Sequence, residues 1–267
     1  MNFQSLISTM KQKDRSLISK MNIENSAIIV NQTDKDSSEI INYENNSCIL
    51  WIDSLSKGLS VSRNLALKNS NADICHLADD DLIYMKNYKE VILKAFDRYK
   101  DADIIAFIVD GRNGKFKSYS DRAAKLNYVT SMKVSSVQIA FRRKSLVDNG
   151  ISFREEFGSG AYFYAGEENI LLYDCLKAGL RIYFVPEKIA EIYLGGSSWF
   201  EGFNKHYFIT KGAAFTAMSR FFSDLLILQF AIRKIKLYKN DTSILNAIRY
   251  MYRGKKEFLL KYSSKKK

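Results

Sequence analysis

The chain has 267 residues, of which 46% are hydrophobic and 26% are charged, so it can bury a full core and is not expected to be disordered. Its formal net charge of +12 is a property of the C-terminal region, because residues 203–267 contain 15 Lys and Arg against 3 Asp and Glu, whereas residues 1–202 are balanced. A neutral body with a basic tail indicates an attachment surface and argues against a main domain that binds nucleic acid.

The N-terminus and the cysteines indicate a cytoplasmic protein. The first residues, MNFQSLISTM, predict a short buried strand, and no basic region leads into an apolar stretch with a cleavage site. Cys48, Cys75 and Cys175 are odd in number, far apart and surrounded by apolar residues, which is unlike a disulfide framework or a CxxC metal site. We therefore expect a chain that folds in a reducing cytoplasm.

Short apolar runs alternate with longer stretches of helical period through the first two thirds of the chain. Strands are predicted over residues 3–8, 27–31, 47–52, 74–78, 104–108, 134–141 and 182–185, the last ending at Pro186. Helices are predicted over residues 10–20, 60–70, 87–99 and 167–178. This alternation indicates an α/β fold class, with a mainly parallel sheet that helices cover on both faces.

The pattern changes near Phe215, which predicts a main domain over residues 1–215 and a basic helical extension over residues 216–267. An amphipathic helix is indicated by apolar residues at alternating spacings of three and four: Met218, Phe221, Leu225, Leu228, Ile232 and Ile235. Basic residues follow this apolar row, in a second predicted helix over residues 243–262 and at residues 265–267. The row is shorter than the roughly 20 residues that span a bilayer, so it either enters a membrane interface or packs against the main domain or a second subunit.

Three adjacent acids, Asp79, Asp80 and Asp81, follow directly after the apolar strand predicted over residues 74–78. Carboxylates at the carboxyl end of a parallel strand lie where open α/β sheets bind ligands. Because neighbouring carboxylates repel one another, a divalent cation with oxygen ligands is a usual compensation. The alternative is a solvated turn in which one of these acids caps the next helix.

Two further segments carry charged residues at predicted helix starts. Gly58 predicts a turn and Ser60 a helix cap, and Arg63 in the following first turn opposes the helix dipole unless an anion, such as a nucleotide diphosphate, faces it. The alternative is a surface arginine on an amphipathic helix. Glu167 and Glu168 begin another helix after a glycine-containing loop, which suits a general base and also suits simple capping.

The order of these motifs closely resembles the family 2 glycosyltransferases. That family has a GxSxxRN helix, a strand ending in a DxD-type motif, and an acidic pair before a helix and a strand ending in VPE. The matching segments here are residues 58–64, 79–81, 167–168 and 185–187. The resemblance covers roughly residues 1–215 and implies a GT-A fold, which is a Rossmann-like, mainly parallel sheet, here with a C-terminal helical extension.

The resemblance also implies roles for individual residues on the donor side. Thr9 and Gln32, at the first two strand ends, would lie at the nucleoside, and Arg63 would touch the nucleotide. Asp79 would contact the ribose and bind a metal together with Asp81, and Asp80 would support both. No histidine follows Pro186 at the position where some relatives add a metal ligand, so Ser197, Ser198 or water would take its place.

On the acceptor side, the resemblance places Glu168 at the position of the general base and Glu167 where it would orient the acceptor. The family more often has Asp at the base position, so the choice between the two acids stays open. The chain has no QxxRW-like signature of processive synthases, which favours the addition of a single sugar.

The implied function is the inverting transfer of a sugar from a UDP-sugar or similar nucleotide-sugar donor, with Mn²⁺ or Mg²⁺, to a hydroxyl of a saccharide acceptor. A lipid-linked acceptor in cell-surface polysaccharide synthesis would place the protein at the cytoplasmic face of the membrane, peripherally bound to anionic lipid through its tail. No nucleic acid is expected as a partner, and homo-oligomer formation is an open alternative for the apolar row.

Two other functions are compatible with parts of the sequence. A haloacid-dehalogenase-like phosphatase also has an apolar strand followed by Asp-x-Asp, but there the motif normally ends the first strand of the core, and no later GDxxxD-like pair is visible. A basic RNA-binding or scaffold protein would account for the aromatic and basic residues of the tail. The balanced charge of residues 1–202 argues against it.

Overall fold

A mixed β-sheet forms the centre of the molecule, as seen in a computed structural model that describes residues 1–43, 47–194, 200 and 202–262. Ser197, Ser198 and residues 265–267, which carry predictions, lie outside the described residues. The described part of the chain contains these strands: β1 (Phe3–Met10), β2 (Ala27–Gln32), β3 (Ser37–Asn42), β4 (Cys48–Ser54), β5 (Ile74–Asp79), β6 (Leu82–Tyr84), β7 (Ile104–Gly111), β8 (Ala124–Leu126), β9 (Ile139–Arg142) and β10 (Ile182–Ile192).

The order of strands across the sheet is β3-β4-β2-β1-β5-β9-β7-β10-β6, and β8 pairs with β10. Strands β4, β2, β1 and β5 are parallel neighbours, as are β7 and β10, while β9 lies antiparallel between β5 and β7. The prediction of a mainly parallel sheet is therefore confirmed. The parallel direction brings the carboxyl ends of β1, β2 and β5 to one edge, where Ser8 pairs with Asp79 and Met10 pairs with Gln32.

Helices cover both faces of this sheet. The helices of the described residues are α1 (Ser16–Lys20), α2 (Leu59–Asn69), α3 (Tyr88–Arg98), α4 (Arg143–Asp148), α5 (Glu167–Lys177), α6 (Lys205–Met218), α7 (Ser223–Arg233), α8 (Ile235–Tyr238) and α9 (Ile244–Tyr262). Adjacent strand residues point to opposite cores: Leu6 and Ile28 pack with α2 and α5, whereas Ile7 and Ile29 pack with α1 and α3. This alternation of buried side chains is the reason the strands read as continuous apolar runs.

Three predicted elements differ from the structure. The helix predicted over residues 10–20 occupies only Ser16–Lys20, because Lys11 has a φ of 55° and Asn31 holds the preceding loop by bonds to the backbone of Gln12. The strand predicted over residues 134–141 is only Ile139–Arg142, and two 3-10 turns, Ser131–Lys133 and Ser136–Gln138, precede it. The predicted end of a strand at Pro186 is also wrong.

Strand β10 continues through Pro186 to Ile192. Its pairing with β7 shifts register between Phe184 and Lys188, so Pro186 lies at an irregularity of the ladder. A proline is tolerated there because the position requires no ladder hydrogen bond from its nitrogen.

The C-terminal helices pack into the body of the protein through a close helix crossing. A Cβ added at Gly212 of α6 would lie 1.9 Å from the carbonyl oxygen of Met251, and one at Gly254 of α9 would lie 1.9 Å from that of Ile209. Only glycine permits the two backbones to approach so closely. The boundary predicted at residues 215 and 216 falls inside α6, which belongs to the same apolar cluster as α5, α7 and α9.

The predicted apolar row of the tail does not lie on one continuous helix. Helix α6 ends at Met218, and α7 begins at Ser223. Met218 is buried, but Phe221 is 85% exposed and Leu225 and Ile232 are each 63% exposed. Helix α7 instead buries Ile227 and Ala231. The interpretation that this row packs against the main domain therefore holds for Met218 and is wrong for the five residues from Phe221 to Ile235.

None of the described helices is long and apolar enough to cross a membrane.

Candidate active site

The predicted donor-side and acceptor-side residues meet in one cavity of about 650 Å³. The carboxyl ends of β1, β2 and β5 form one wall, and the starts of α2 and α5 together with α6 form another. The cavity is lined by all the predicted site residues except Arg63, namely Thr9, Gln32, Asp79, Asp80, Asp81, Glu167 and Glu168. Residues as distant in sequence as Thr9 and Glu168 thus converge, because parallel strands end at the same edge of the sheet and α5 begins beside that edge.

Thr9 and Gln32 support the cavity wall through hydrogen bonds. The Thr9 hydroxyl donates to Oδ2 of Asp80 at 2.5 Å, and Nε2 of Gln12 donates to the Thr9 hydroxyl oxygen at 2.9 Å. Oε1 of Gln32 accepts a hydrogen bond from the Gly58 amide at 2.7 Å. Thr9 therefore orients one acid of the triplet, and Gln32 holds the turn from which α2 begins.

Arg63 connects the two acidic segments from behind the cavity wall. Its side chain is 1% exposed, its Nη2 lies 2.9 Å from Oδ1 of Asp79, and its Nη1 lies 2.9 Å from Oε1 of Glu167. The structure thus places Arg63 away from the lining that a nucleotide would touch. Arg63 is the fifth residue of α2, and the anion that was predicted to face it is supplied by two carboxylates of the protein itself.

The loop before α5 packs tightly on α2. Ser60 does not cap α2 as predicted: its hydroxyl donates to the carbonyl of Phe157 at 2.6 Å, and Gly58 is the residue that precedes the helix. Gly158 has a φ of +102°, and a Cβ at this position would lie 3.2 Å from Oγ of Ser60. The loop glycine is therefore required both by its backbone conformation and by the close approach of α2.

Glu167 and Glu168 occupy the first turn of α5 and have different surroundings. Glu167 is 6% exposed and bound to Arg63. Glu168 is half-buried, and in the described part of the chain no cation lies within ion-pair distance of it. Burial and then the neighbouring charge of Glu167 raise the pKa of Glu168 to about 7, although the charges of Lys211 and Arg63 act in the opposite direction.

Asp81 has a similar electrostatic situation at the end of β5. Its side chain is exposed at the cavity, and the described residues place no cation within ion-pair distance of it. Loss of surrounding water in the cavity, followed by the charges of Asp79 and Asp80, raises the pKa of the Asp81 carboxyl to about 6. A divalent cation at this position would remove the repulsion between the three carboxylates.

The carboxylates around Asp81 fit a metal ion that is coordinated partly by the protein and partly by a bound ligand. The described residues contain no group of three or more His, Cys, Asp or Glu side chains arranged to hold one ion. Among the described residues, Oδ1 of Asp79 binds Arg63, while no side chain binds Oδ2 of Asp79 or the carboxylate of Asp81. One or two carboxylates completed by phosphate oxygens are the usual environment of Mg²⁺ in phosphate-binding sites.

Two lysines in the cavity wall were missed by the sequence analysis. Nζ of Lys117 donates to the carbonyl of Lys133 at 2.9 Å and to Oε1 of Gln138 at 3.0 Å, and burial lowers the pKa of this lysine to about 8. Lys211 of α6 is half-buried and lines the same cavity, and burial lowers its pKa while the charges of Glu168 and Glu167 raise it. No local motif marks either lysine.

Comparisons with known proteins agree with this arrangement. A model of the family described as "Glycosyl transferase family 2" matches residues 15–160, which is more than half of the chain. A search of curated proteins found no significant match.

Solved structures of TarS from S. aureus have a similar fold. A crystal structure of TarS residues 1–349 in complex with UDP-GlcNAc has 15% sequence identity and a TM-score of 0.68, and the match covers 97% of this chain and 81% of that chain. A TarS 1–349 structure has 14% identity and a TM-score of 0.61, covering 96% and 92%. A longer TarS structure has 15% identity and a TM-score of 0.61, covering 88% and 44%. At these identities the likeness establishes the fold, and the predicted α/β fold class with C-terminal helices is confirmed.

Proposed function

Since the chain belongs to glycosyl transferase family 2, and is thus a glycosyltransferase with the GT-A fold, we propose that it transfers one sugar from a nucleotide-sugar donor to a saccharide hydroxyl with inversion. The observation that carries this proposal is the single cavity in which the acid triplet and the acidic pair meet, joined by Arg63. One acidic group would serve the donor and the other the acceptor. The family assignment favours this activity over a phosphatase or an RNA-binding scaffold.

The donor side of the proposal uses the carboxyl ends of β1, β2 and β5. Thr9 and Gln32 would border the nucleoside, and Asp79 would contact the ribose, with Asp80 held in place by Thr9. The UDP-GlcNAc complex of TarS, which shares the fold, supports a UDP-sugar as donor. Asp81 and the second oxygen of Asp79 would hold Mn²⁺ or Mg²⁺, whose chemistry is to neutralise charge on a leaving diphosphate.

The acceptor side depends on Glu168. Its carboxylate would accept the proton of the acceptor hydroxyl while that oxygen forms a bond to the anomeric carbon. The bond between the anomeric carbon and the diphosphate oxygen breaks on the opposite side, which inverts the configuration. A pKa of about 7 suits a base that must be deprotonated near neutral pH and yet hold a proton after transfer.

Glu167 and Arg63 have a positioning role in this proposal. The buried Arg63 guanidinium fixes the carboxylates of Glu167 and Asp79 at 2.9 Å each. Because Glu167 is already paired, Glu168 is the better candidate for the base, and Glu167 would set the start of α5 from which Glu168 projects. Acceptor orientation by Glu167 would then be indirect.

The acceptor is proposed to be a lipid-linked saccharide of cell-surface polysaccharide synthesis. Support comes from the basic C-terminal region, whose 15 basic residues contrast with the balanced body, and from the short row of apolar residues in it.

A panel of nucleotide sugars tests the donor proposal. Thermal unfolding of the protein would be followed with each compound, with Mn²⁺, with Mg²⁺ and with excess chelator. We expect a UDP-sugar to raise the midpoint of unfolding in the presence of the metal, since a ligand that binds only the native state stabilises it. Donor hydrolysis would then be measured for the compound that binds. Failure of every nucleotide sugar to stabilise the protein would contradict the proposal.

A further inference from the structure

Helix α7 and the residues beside it present a row of apolar side chains to solvent. We call this row the α7 face and define it by Phe221, Leu225, Leu228, Ile232 and Ile235. Phe221 is 85% exposed, Leu225 and Ile232 are each 63% exposed, Leu228 is 42% exposed and Ile235 is 36% exposed. Single exposed apolar residues are ordinary on protein surfaces, but a contiguous row indicates a binding surface.

The orientation of the α7 face is fixed by packing on the other side of the helix. Ile227 and Ala231 are fully buried in the cluster that α7 shares with α5, α6 and α9. Asp224 of α7 also pairs with Lys255 of α9. Turning the α7 face inward would expose Ile227 and Ala231 to water and break this ion pair. The apolar row is therefore a stable feature of the folded surface.

Basic residues surround the α7 face. Arg233, Lys234, Lys236 and Lys239 are exposed at its C-terminal end, and Arg220 is exposed at its other end. The one acidic residue within 223–238 is Asp224, which is already paired with Lys255. An apolar stripe with flanking cations matches the interface of an anionic lipid leaflet, where acyl chains meet negatively charged headgroups.

We propose that the α7 face is a lipid-docking site that inserts Phe221, Leu225 and Ile232 into the interface of an anionic membrane. A second copy of this chain fits the surface less well. A two-fold contact would bring two faces together that carry the same excess of basic residues, and α7 and α8 offer no unpaired acid to compensate them. The lipid headgroups provide that negative charge.

The docking site is connected to the cavity through one helix. Helix α6 contacts α7 and α9, and the same helix carries Lys211 into the cavity wall. The α7 face therefore has a fixed position relative to the candidate active site. This inference does not depend on which sugar is transferred, and it stands or fails separately from the proposed glycosyl transfer.

Flotation of the full-length protein with vesicles tests the proposal. One vesicle type contains phosphatidylcholine only, and the other contains equal parts of phosphatidylcholine and phosphatidylglycerol, each at low and high salt. We expect binding to the anionic vesicles at low salt, and weaker binding at high salt because the headgroup attraction is screened. Absence of binding to anionic vesicles at low salt would overturn the proposal.

Substitutions on the α7 face separate its role from that of the remaining surface. The double variant L225E/I232E should lower binding to anionic vesicles by at least about tenfold, because two inserted side chains become charged. The matched control I40E/V129E adds the same charge at residues that are 65% and 67% exposed outside the tail, and it should bind like the parent. Equal binding of the two double variants would contradict docking through this face.

A second pair of variants measures the electrostatic part. K234Q/K236Q should weaken binding to anionic vesicles by about 25-fold at low salt, since each basic residue near a leaflet contributes about fivefold. The control K13Q/K144Q removes two exposed lysines of the body and should leave binding unchanged.

Sedimentation without lipid tests whether the α7 face binds a second copy of the chain instead. The parent should sediment as a monomer. A parent that is a dimer, that becomes a monomer in L225E/I232E and that does not bind lipid would overturn the proposal. Metal-dependent stabilisation by a nucleotide sugar in L225E/I232E would show that the cavity is unaffected.

Discussion

The acid triplet at the end of β5 and the acid pair at the start of α5 share one electrostatic design. In each group, one carboxylate is neutralised by the buried Arg63 at 2.9 Å: Asp79 in the triplet and Glu167 in the pair. In each group, another carboxylate remains without an ion-pair partner among the described residues and has a raised pKa, about 6 for Asp81 and about 7 for Glu168.

The difference between the two groups lies in what would complete them. Asp81 is exposed and has two acidic neighbours, so a divalent cation would relieve the repulsion between the three carboxylates. Glu168 is half-buried, with Lys211 close enough to lower its pKa, so it needs no metal and can exchange a proton. Adjacent acids in one motif therefore differ in their surroundings, and these surroundings suit them to different tasks.

The largest expected effect is on the chemical step. Glu168→Gln should reduce sugar transfer by about 10²–10⁴-fold, the usual contribution of a positioned base, while donor affinity stays close to that of the parent. Initial rates at saturating donor and a binding isotherm for the donor would be measured on the same preparation. Transfer at the parental rate would show that Glu168 is not the base and would favour Glu167 in that role.

Removal of Arg63 should mainly affect stability. Arg63→Met leaves the buried carboxylate of Glu167 without its partner, and breaking a buried pair in this way costs about 3–5 kcal/mol. Denaturant unfolding gives the free energy of unfolding. As a control, the double variant R63M/E167Q should recover part of the loss, since the unpaired charge is gone. Equal stabilities of R63M and the parent would show that the shared arginine does not hold the two groups.

The metal role of Asp81 predicts a smaller effect that is confined to the donor. Asp81→Asn should weaken metal-dependent donor binding by at least about tenfold without loss of the fold, because it removes a carboxylate from a site that is crowded with acids. Titration calorimetry with and without Mn²⁺ measures this. Asp73→Asn, at an exposed residue one strand length away, is the matched control. Unchanged metal-dependent affinity in Asp81→Asn would exclude the assigned role.

The smallest expected effect is a shift in the pH profile. The base must be deprotonated to act, so transfer should rise with pH through about 7 and fall below it as Glu168 takes up a proton. Lys211→Met removes a positive charge that lowers the pKa of Glu168, so the low-pH limb should move to higher pH. The exposed Lys144, changed to Met, is the control. A limb that stays in place in Lys211→Met would separate this lysine from the base.

The main architecture could be predicted from the sequence because it depends on local patterns of apolar and polar residues. Apolar runs bounded by polar turns predicted the strands β1, β2, β4, β5 and β7, and helical period predicted α2, α3 and α5 to within a few residues. The acids could be located for the same reason, since they follow directly after a strand or before a helix. The α/β class and the convergence of strand ends at one edge then followed from general rules for parallel sheets.

Errors arose where a long-range contact overrides the local pattern. The segment before α1 is held by Asn31, and the extension of β10 past Pro186 depends on its ladder with β7 and its bulge. Ser60 satisfies the local pattern of a helix cap, yet its hydroxyl bonds to Phe157, which lies 97 residues away in sequence. Propensity gives no information about such partners.

The amino-acid sequence by itself determined which residues are acidic, which faces are apolar and where the regular elements lie, because these follow from side-chain chemistry and the periods of strand and helix. Only the tertiary structure decided that Arg63 points at two carboxylates, that Lys117 and Lys211 enter the cavity, and that the apolar row of the tail faces solvent. Each of these outcomes depends on which distant surfaces bury one another, such as the close approach of Gly212 to the Met251 backbone and of Gly254 to the Ile209 backbone, where α9 crosses α6. Which distant surfaces become buried depends on the packing of the whole chain, so a short segment of sequence does not determine it.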